Sequence, residues 1–340
     1  IKYTTFTSLN SHEYLDSPEV LKAKVKLLAQ LLTAAHRPVF YAGAGLSTAS
    51  GVGDYATQSG SAGLVAKANK RTEGEGQDDE PSAYGRRRIS PFCARPNLGH
   101  RTIAALGNTG HCFRFIQQNH DGLPQKAGMA QHLLNEIHGA WFDPSNPVVA
   151  MSGNLRGDLF DDLLECERQT DCVVAVGSSL CGMNADRLVV TSALRSRENR
   201  ERLRSKGGEG VIPEGMTAFG SVIVSIQKTV HDHNSSLRIF ALIDDVMALL
   251  AEEMALEVPP ANISIGNAEE VFSVPYDASG ERIGDGSSAT TTLLDLREGA
   301  ELVVASGPDK GAKATVLGRN ADGHFRIAVQ RSFKRGTSGR

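Results

Sequence analysis

Four short clusters along the chain contain the residue types that phosphate binding and proton transfer require. In chain order they are Gly43–Tyr55 (GAGLSTASGVGDY), Gln118–Leu123 (QNHDGL), Glu136–Gly139 (EIHG) and Gly177–Leu180 (GSSL). Asparagine and serine supply hydrogen-bonding groups, aspartate supplies a carboxylate, and histidine can accept and return a proton near neutral pH. The clusters therefore suggest a site that holds a phosphorylated ligand beside a general base.

The first cluster follows the apolar run Pro38–Ala42, which is typical of a buried strand. Gly43, Ala44 and Gly45 then predict a tight turn whose backbone N–H groups point at a phosphate, because glycine has no Cβ to block a close approach. The next glycine is Gly51, so the common G-x-G-x-x-G spacing is not matched. A strand-to-helix turn without a ligand remains the alternative.

The second cluster follows the apolar run Cys112–Ile116, and a buried polar side chain must find a partner or face a cleft. Ligands of open parallel sheets bind outside the carboxyl ends of the strands, so we favour a cleft over an Asn-His-Asp-Gly surface turn. His138 is a lone histidine, a type that is more often structural than catalytic. Its neighbours make it a candidate base.

The elements that must position these clusters alternate between helix and strand. Ser17, Pro18 and Glu19 predict the start of a helix that runs to about Ala35. Further apolar runs without an alternating polar face, such as Asp171–Val176, are separated by helices and predict a parallel sheet covered on both sides. The charged stretch Arg195–Gly210 is interpreted as a loop. The fold class is α/β, with a Rossmann-like parallel sheet.

Composition divides the chain into a large domain and a small appended one. We expect a catalytic domain at 1–258, a linker at 259–292 and a small basic β-barrel at 293–335. The large domain is expected to carry a charged insert at about 57–97 and a small module around 139–157. The barrel resembles a KOW-type or SH3-like module, which suggests an RNA or protein partner, and a passive appended domain is about equally compatible.

The net charge and hydrophobic content are those of an ordinary globular protein and do not narrow the functional class further. The 340 residues carry a formal net charge of -3 and 40% hydrophobic residues, as in an ordinary globular protein. No run is long enough to span a membrane, so no membrane partner is expected. Five scattered cysteines without a C-x-x-C pair indicate reduced thiols and an intracellular location, nuclear or cytoplasmic.

Together the four clusters resemble the sirtuin family. Gly43–Tyr55 is similar to the motif G-A-G-I-S-x-x-x-G-I-P-D-F, Gln118–Leu123 to Q-N-I-D-G-L, and Gly177–Leu180 to G-T-S-L. The resemblance covers about residues 21–250. It implies an NAD-dependent protein-lysine deacylase that consumes NAD as a co-substrate and releases nicotinamide and O-acyl-ADP-ribose from an acyl-lysine protein.

The resemblance also implies a role for each matching residue. His138 would be the general base, which deprotonates a ribose hydroxyl of NAD, and Asn119 and Asp121 would join it in the catalytic pocket. Tyr55 would shield the reacting carbon, and Ser225 would lie at the adenosine ribose, where the family usually has Asn. The implied cofactor-binding residues are Gly43, Ala44, Gly45, Ser47, Asp54, Tyr55, Gln118, Asn119, Asp121, Gly177, Ser178, Ser179 and Ser225.

Three departures from the family pattern bear on activity. The two Cys pairs that bind a structural zinc in most sirtuins are missing, so no metal site is predicted. Gly53 and Ala56 replace the Pro and Arg of P-D-F-R, and His120 replaces the Ile of Q-N-I-D. These changes keep two alternatives open: a mono-ADP-ribosyltransferase or NAD hydrolase on the same scaffold, and a non-catalytic module that senses NAD or ADP-ribose.

Overall fold

The structure is a computed structural model. It describes residues 12–52, 94–141, 143, 146–149, 153–205, 218–259, 274–276, 292–294, 299–304, 308–319 and 325–330. The chain divides into two compact units, Ile1–His138 with Leu155–Ile263 and Gly139–Asn154 with Ser264–Arg340. In the parts of the chain just given, no helix is both long enough and apolar enough to cross a bilayer.

The first unit is built on a sheet of six parallel strands, which confirms the predicted Rossmann-like α/β class. The strands are β1 Pro38–Ala42, β2 Arg114–Gln117, β3 Leu134–Glu136, β4 Cys172–Val176, β5 Gly220–Val224 and β6 Leu237–Ile239. Their spatial order is β3-β2-β1-β4-β5-β6, the doubly wound order of dinucleotide-binding folds. All residues of β1, β4 and β5 are buried, as expected for strands covered on both faces.

Helices cover both faces of this sheet. They are α1 Pro18–Ala34, α2 Leu98–Asn108, the short α3 Leu123–Lys126, α4 Gly157–Gln169, α5 Arg187–Ser205 and α6 Ile243–Glu253. Because side chains alternate along a strand, Phe40 and Ala42 of β1 pack in the core formed with α1, α2 and α6, whereas Val39 and Tyr41 pack in the core formed with α4 and α5. The two cores hold β1 rigidly between them.

The direction of winding reverses between β1 and β4. These strands are parallel neighbours with Ala42 opposite Val176, so their carboxyl ends lie side by side. On the other side of β1, Gln117 of β2 is opposite Ala42, and Glu136 of β3 is opposite Gln117. The topology therefore brings all four polar clusters to one edge of the sheet, at the switch point where such folds bind ligands.

The interpretation of Arg195–Gly210 as a loop was wrong as far as Ser205, because α5 continues to that residue. Its buried residues keep helical spacing through the charged stretch, since Ser192, Ala193, Ser196 and Asn199 continue the face that Leu188 begins. Small and polar residues on that face gave no apolar signal.

After β1, the chain forms two single turns of 3-10 helix, Ala44–Leu46 and Thr48–Ser50, where the start of a helix was expected.

The second unit contains two small antiparallel sheets. One pairs β7 Val274–Tyr276 with β8 Thr292–Leu294, and the other has the order β11-β10-β9, from β9 Glu301–Val303, β10 Lys313–Arg319 and β11 Phe325–Val329. The three-stranded sheet agrees with the β-rich character expected of this region, whereas its closure into a barrel and the domain boundaries remain predictions. The four described cysteines are free thiols.

Candidate active site

The loops that follow β1 and β4 pack backbone against backbone. The N–H of Gly43 donates to the Val176 carbonyl at 3.1 Å, and the N–H of Gly45 donates to the Gly177 carbonyl at 2.8 Å. A Cβ on Gly45 would lie 2.7 Å from the Gly177 oxygen, and Gly177 itself has a φ of +60°, which favours glycine. These glycines are therefore required by the contact between the two loops, whether or not a phosphate approaches.

Among the described residues, three backbone N–H groups at this junction have no acceptor. The N–H groups of Ala44, Ser178 and Ser179 donate to no other atom of the described residues, although their neighbours Gly43, Gly45, Leu46 and Ser47 are all paired. Unpaired N–H groups clustered at the carboxyl ends of two parallel strands form a suitable cradle for the oxygens of an anion. The junction thus fits the pyrophosphate of a dinucleotide.

Ser47 joins the β1 loop to the polar cluster after β2. Its hydroxyl donates to the Asp121 carboxylate at 2.6 Å and accepts from the Asn119 amide at 2.9 Å, and that amide also donates to the Gly43 carbonyl at 3.0 Å. Asp121 accepts a second bond from the Leu123 N–H. All three side chains are at least nine-tenths buried, so the structure brings Ser47, Asn119 and Asp121 together in one fixed network.

His100 of α2 belongs to the same network, and sequence analysis did not single it out. Its Nδ1 lies 2.7 Å from the Asn97 side-chain oxygen, and its Nε2 lies 3.4 Å from the Ser47 hydroxyl. Asn97 caps α2 and donates to the Leu46 carbonyl, which fixes the helix against the β1 loop. The segment Asn97–His100 carried a signal that could have been used, since Asn is a favoured helix cap.

Burial lowers the pKa of His100 to about 4, against the opposing effect of the Asp121 carboxylate. The unfolded chain takes up this proton near pH 6.5, so protonation favours unfolding between those two values. We therefore expect the contribution of His100 to stability to be present above pH 6.5 and lost toward pH 4, by about 3 kcal/mol in total. Urea unfolding of wild type and His100→Gln as a function of pH measures this difference.

His132, an exposed histidine at the opposite edge of the sheet, provides the matched control. His132→Gln should keep the wild-type slope of unfolding free energy against pH, whereas His100→Gln should flatten that slope by about one bound proton. Parallel curves for wild type and His100→Gln would show that His100 is not held neutral in the folded protein.

His138 follows β3 at the same edge of the sheet as the other clusters. Its ring is hydrogen-bonded to the Gln118 backbone carbonyl, which ties the end of β3 to the end of β2. Burial is the main cause that lowers the pKa of His138 to about 4, and the charge of the neighbouring His120 adds to it. At neutral pH the ring is therefore uncharged, with one nitrogen protonated and the other free to accept a proton, the state in which a general base begins.

Gln118 takes part in a different interaction from its neighbours. Its amide donates to the Tyr41 hydroxyl, which in turn donates to the Asp186 carboxylate at 2.8 Å in the buried interior. Burial raises the pKa of Tyr41. Burial also raises the pKa of Asp186, although the hydrogen bond from Tyr41 opposes this effect. Asp186 also accepts from the backbone N–H groups of Gly182 and Met183, so it anchors the turn beyond Gly177–Ser179 to β1.

Ser225 directly follows β5, on the far side of the junction. Its hydroxyl accepts from the Gln227 N–H at 3.2 Å and so shapes the turn after the strand. Asp54 and Tyr55 lie outside the described residues, as do Gly53, Ala56 and most of the predicted insert. The structure thus gathers Gly43, Ala44, Gly45, Ser47, Gln118, Asn119, Asp121, His138, Gly177, Ser178, Ser179 and Ser225 at the carboxyl edge of one sheet.

The fold and this edge define a Rossmann-like protein with a nucleotide-binding switch point. The model of the Sir2 family matches residues 43–145, which contain three of the four clusters. Drosophila melanogaster NAD-dependent protein deacetylase Sirt6 is 25% identical over 283 residues, covering 74% of this chain and 81% of that protein. NAD-dependent protein deacetylase 2 of Streptomyces coelicolor is 34% identical over 134 residues, covering 38% of this chain and 54% of that protein. Over these residues the chain is similar to the Sir2, or sirtuin, family.

The chain spans about half the length of a third relative, NAD-dependent protein deacetylase SRT1 of Oryza sativa, to which it is 27% identical over 284 residues. Among solved structures, one described as "Sir2-p53 peptide-NAD+" has a TM-score of 0.47 at 20% identity, covering 68% of this chain and 99% of that one. All three relatives are named as NAD-dependent protein deacetylases.

Proposed function

We propose that this protein is an NAD-dependent protein-lysine deacylase. The observation that carries the proposal is the convergence at one switch point of an anion cradle, a buried Ser47–Asn119–Asp121 network and an uncharged histidine. None of these features alone indicates the reaction. Their combination in a chain similar to the Sir2 family is what an acyl transfer to a nucleotide sugar requires.

The residues present fit NAD. The free N–H groups of Ala44, Ser178 and Ser179 would hold the phosphates, and Ser225 would lie at the adenosine ribose. Asn119 and Asp121 would hold the nicotinamide end, since their buried polar groups are fixed by Ser47 and the Gly43 carbonyl. Gln118 would line the same pocket, positioned by Tyr41. We include Asp54 and Tyr55 in this proposal on the basis of sequence alone.

NAD, when bound, supplies a ribosyl group that can accept the acyl group, with nicotinamide as the leaving group. The protein contributes by fixing groups in place before the reaction. The buried Asp121 carboxylate, held by Ser47 and the Leu123 N–H, stabilises positive charge that develops during bond cleavage, because it needs no reorganisation. His138 takes up a hydroxyl proton on its free ring nitrogen, while its bond to the Gln118 carbonyl holds the ring in orientation.

Product analysis distinguishes this function from its alternatives. The protein is incubated with NAD and an acetyl-lysine peptide, and the products are identified by mass spectrometry. O-acetyl-ADP-ribose with deacetylated peptide is the result that we expect. Free ADP-ribose without peptide would indicate an NAD hydrolase, ADP-ribosylated protein would indicate a transferase, and no nicotinamide release would indicate a sensor module.

We further propose that the protein functions without a structural zinc ion. Within the described residues, no group of three or more His, Cys, Asp or Glu side chains is arranged to hold a metal. The prediction rests on the sequence, in which Cys166, Cys172 and Cys181 lack ligand spacing. Metal analysis of the purified protein should find far less than one zinc ion per chain, and folding should survive a chelator. Stoichiometric zinc that is lost together with folding would contradict the prediction.

For the C-terminal sheet we propose a role in binding an acidic partner, RNA or protein. Along β10, the buried Ala314 and Val316 alternate with the exposed Lys313 and Leu317, and Arg326 of β11 is exposed as well. The sheet thus has one apolar face and exposed basic residues, which suit an anionic surface. Binding of single-stranded RNA that weakens with salt, and that is lost in a Lys313→Glu, Arg326→Glu variant, is the expected result.

A further inference from the structure

The turn at residues 177–183, directly after β4, carries backbone strain next to two donors of the anion cradle. Leu180 has a φ of +51°, in the left-handed region that residues with a Cβ rarely adopt, and its side chain is fully buried. Such a conformation persists only where the surrounding contacts hold it. The contacts that hold this turn therefore also decide how Ser178 and Ser179 present their N–H groups.

The two ends of the turn are held in different ways. At the near end, Gly177 donates to the Val224 carbonyl at 3.0 Å and accepts from the Gly45 N–H at 2.8 Å. At the far end, the N–H groups of Gly182 and Met183 both donate to one carboxylate oxygen of Asp186, at 2.8 and 2.9 Å. Among the described residues, no other hydrogen bond reaches the far end from outside the turn. Asp186 therefore holds this end on its own.

Asp186 is in turn fixed to the centre of the sheet. Its second carboxylate oxygen accepts from the Tyr41 hydroxyl at 2.8 Å, and the two side chains are 3% and 0% exposed. The same hydroxyl accepts from the Gln118 amide, at the end of β2. Since β1 lies between β2 and β4, the chain of bonds Gln118–Tyr41–Asp186 crosses the switch point from one side to the other.

We propose that Tyr41 and Asp186 are positioning residues for the cofactor, which hold the turn so that the N–H groups of Ser178 and Ser179 point at the pyrophosphate. The proposal rests on the proposed use of NAD. Loss of either side chain leaves buried partners unpaired and allows the strain at Leu180 to relax. The turn must then be ordered again whenever the ligand binds, and the affinity falls, because preordered groups bind more tightly.

Calorimetric titration with ADP-ribose tests the proposal without turnover. Tyr41→Phe and Asp186→Ala should each weaken ADP-ribose binding by about 3- to 10-fold, the usual net contribution of one hydrogen bond. Asp186→Asn should recover part of the loss seen in Asp186→Ala, because its amide oxygen still accepts from Gly182 and Met183. Tyr41→Phe preserves the packing of the ring and is the variant on which the outcome depends.

Thr170→Val is the matched control, since it also removes a buried hydroxyl from the sheet. Thr170 is 2% exposed, and its hydroxyl is bonded to the carbonyls of Arg37 and Cys172 at the amino end of β4, opposite the cradle. Urea unfolding should show a loss of stability in this variant as in Tyr41→Phe, while ADP-ribose affinity stays at the wild-type value. An affinity of Tyr41→Phe equal to that of wild type and Thr170→Val would overturn the proposal.

Steady-state kinetics separates positioning of the cofactor from general damage. In Tyr41→Phe, KM for NAD should rise by the same factor as the ADP-ribose dissociation constant, with kcat within about twofold of wild type. A fall in kcat at an unchanged KM would contradict the proposal. Wild-type protein that does not bind ADP-ribose would overturn the proposed function and this inference together, whereas binding that is unaffected in the variants would overturn this inference alone.

Discussion

His138→Ala lowers kcat/KM for NAD-dependent deacetylation by about 10²- to 10⁴-fold, the usual contribution of a positioned general base. The loss falls mainly on kcat, because the groups that hold the cofactor lie on the β1 and β4 loops and in the Ser47–Asn119–Asp121 network. NAD affinity, measured by calorimetry, should therefore change little. Steady-state kinetics with an acetyl-lysine peptide measures the loss itself.

His132→Ala serves as the control for removal of an imidazole near β3, since His132 lies before that strand and is exposed. It should retain the wild-type rate. A His138→Ala variant that keeps most of the wild-type rate would show that another group accepts the proton. Loss of NAD binding in that variant would show instead that His138 has a structural role.

Gly177→Ala destabilises the protein by about 2–4 kcal/mol and abolishes NAD binding, because it combines backbone strain with a collision. At a φ of +60°, the added Cβ would lie 2.6 Å from the Gly45 carbonyl carbon and also inside the contact distance of the Leu46 nitrogen. The two loops must then move apart, which disrupts the cradle formed by Ala44, Ser178 and Ser179. Urea unfolding and calorimetry measure the two effects.

Gly182→Ala is the matched control, since Gly182 also has a positive φ, +100°, but a Cβ there would meet nothing within 4 Å. That variant has the backbone strain without the collision, so its free energy of unfolding should fall by about 1–2 kcal/mol while it still binds NAD. Equal stability losses in the two alanine variants would mean that the close approach of the loops is not what requires glycine at position 177.

The centre of the sheet and its edge were predictable from sequence because β1 and β4 are short apolar runs that end in glycine. Pro38–Ala42 and Cys172–Val176 are buried throughout, and a parallel sheet places their carboxyl ends at one edge without further information. The motifs then indicated which side chains meet there. Ser47, Asn119 and Asp121 indeed form one network.

Other features depend on contacts between residues far apart in sequence. The partners of Ser47 include His100, 53 residues away, and no local pattern marks that histidine as buried and neutral. The glycines at 43, 45 and 177 were interpreted as room for a phosphate, whereas the structure shows that they make room for each other's loops. The extent of α5 was missed because its buried face uses Ser196 and Asn199 in place of large apolar residues.

The coupling of NAD consumption to deacetylation tests the account most directly. Nicotinamide and deacetylated peptide are quantified in the same reaction, with the acetyl-lysine peptide present and absent. We predict equal amounts of the two products when peptide is present, and nicotinamide release near the uncatalysed rate when it is absent. Nicotinamide release that does not depend on the acetyl-lysine peptide would contradict the assignment as a deacylase.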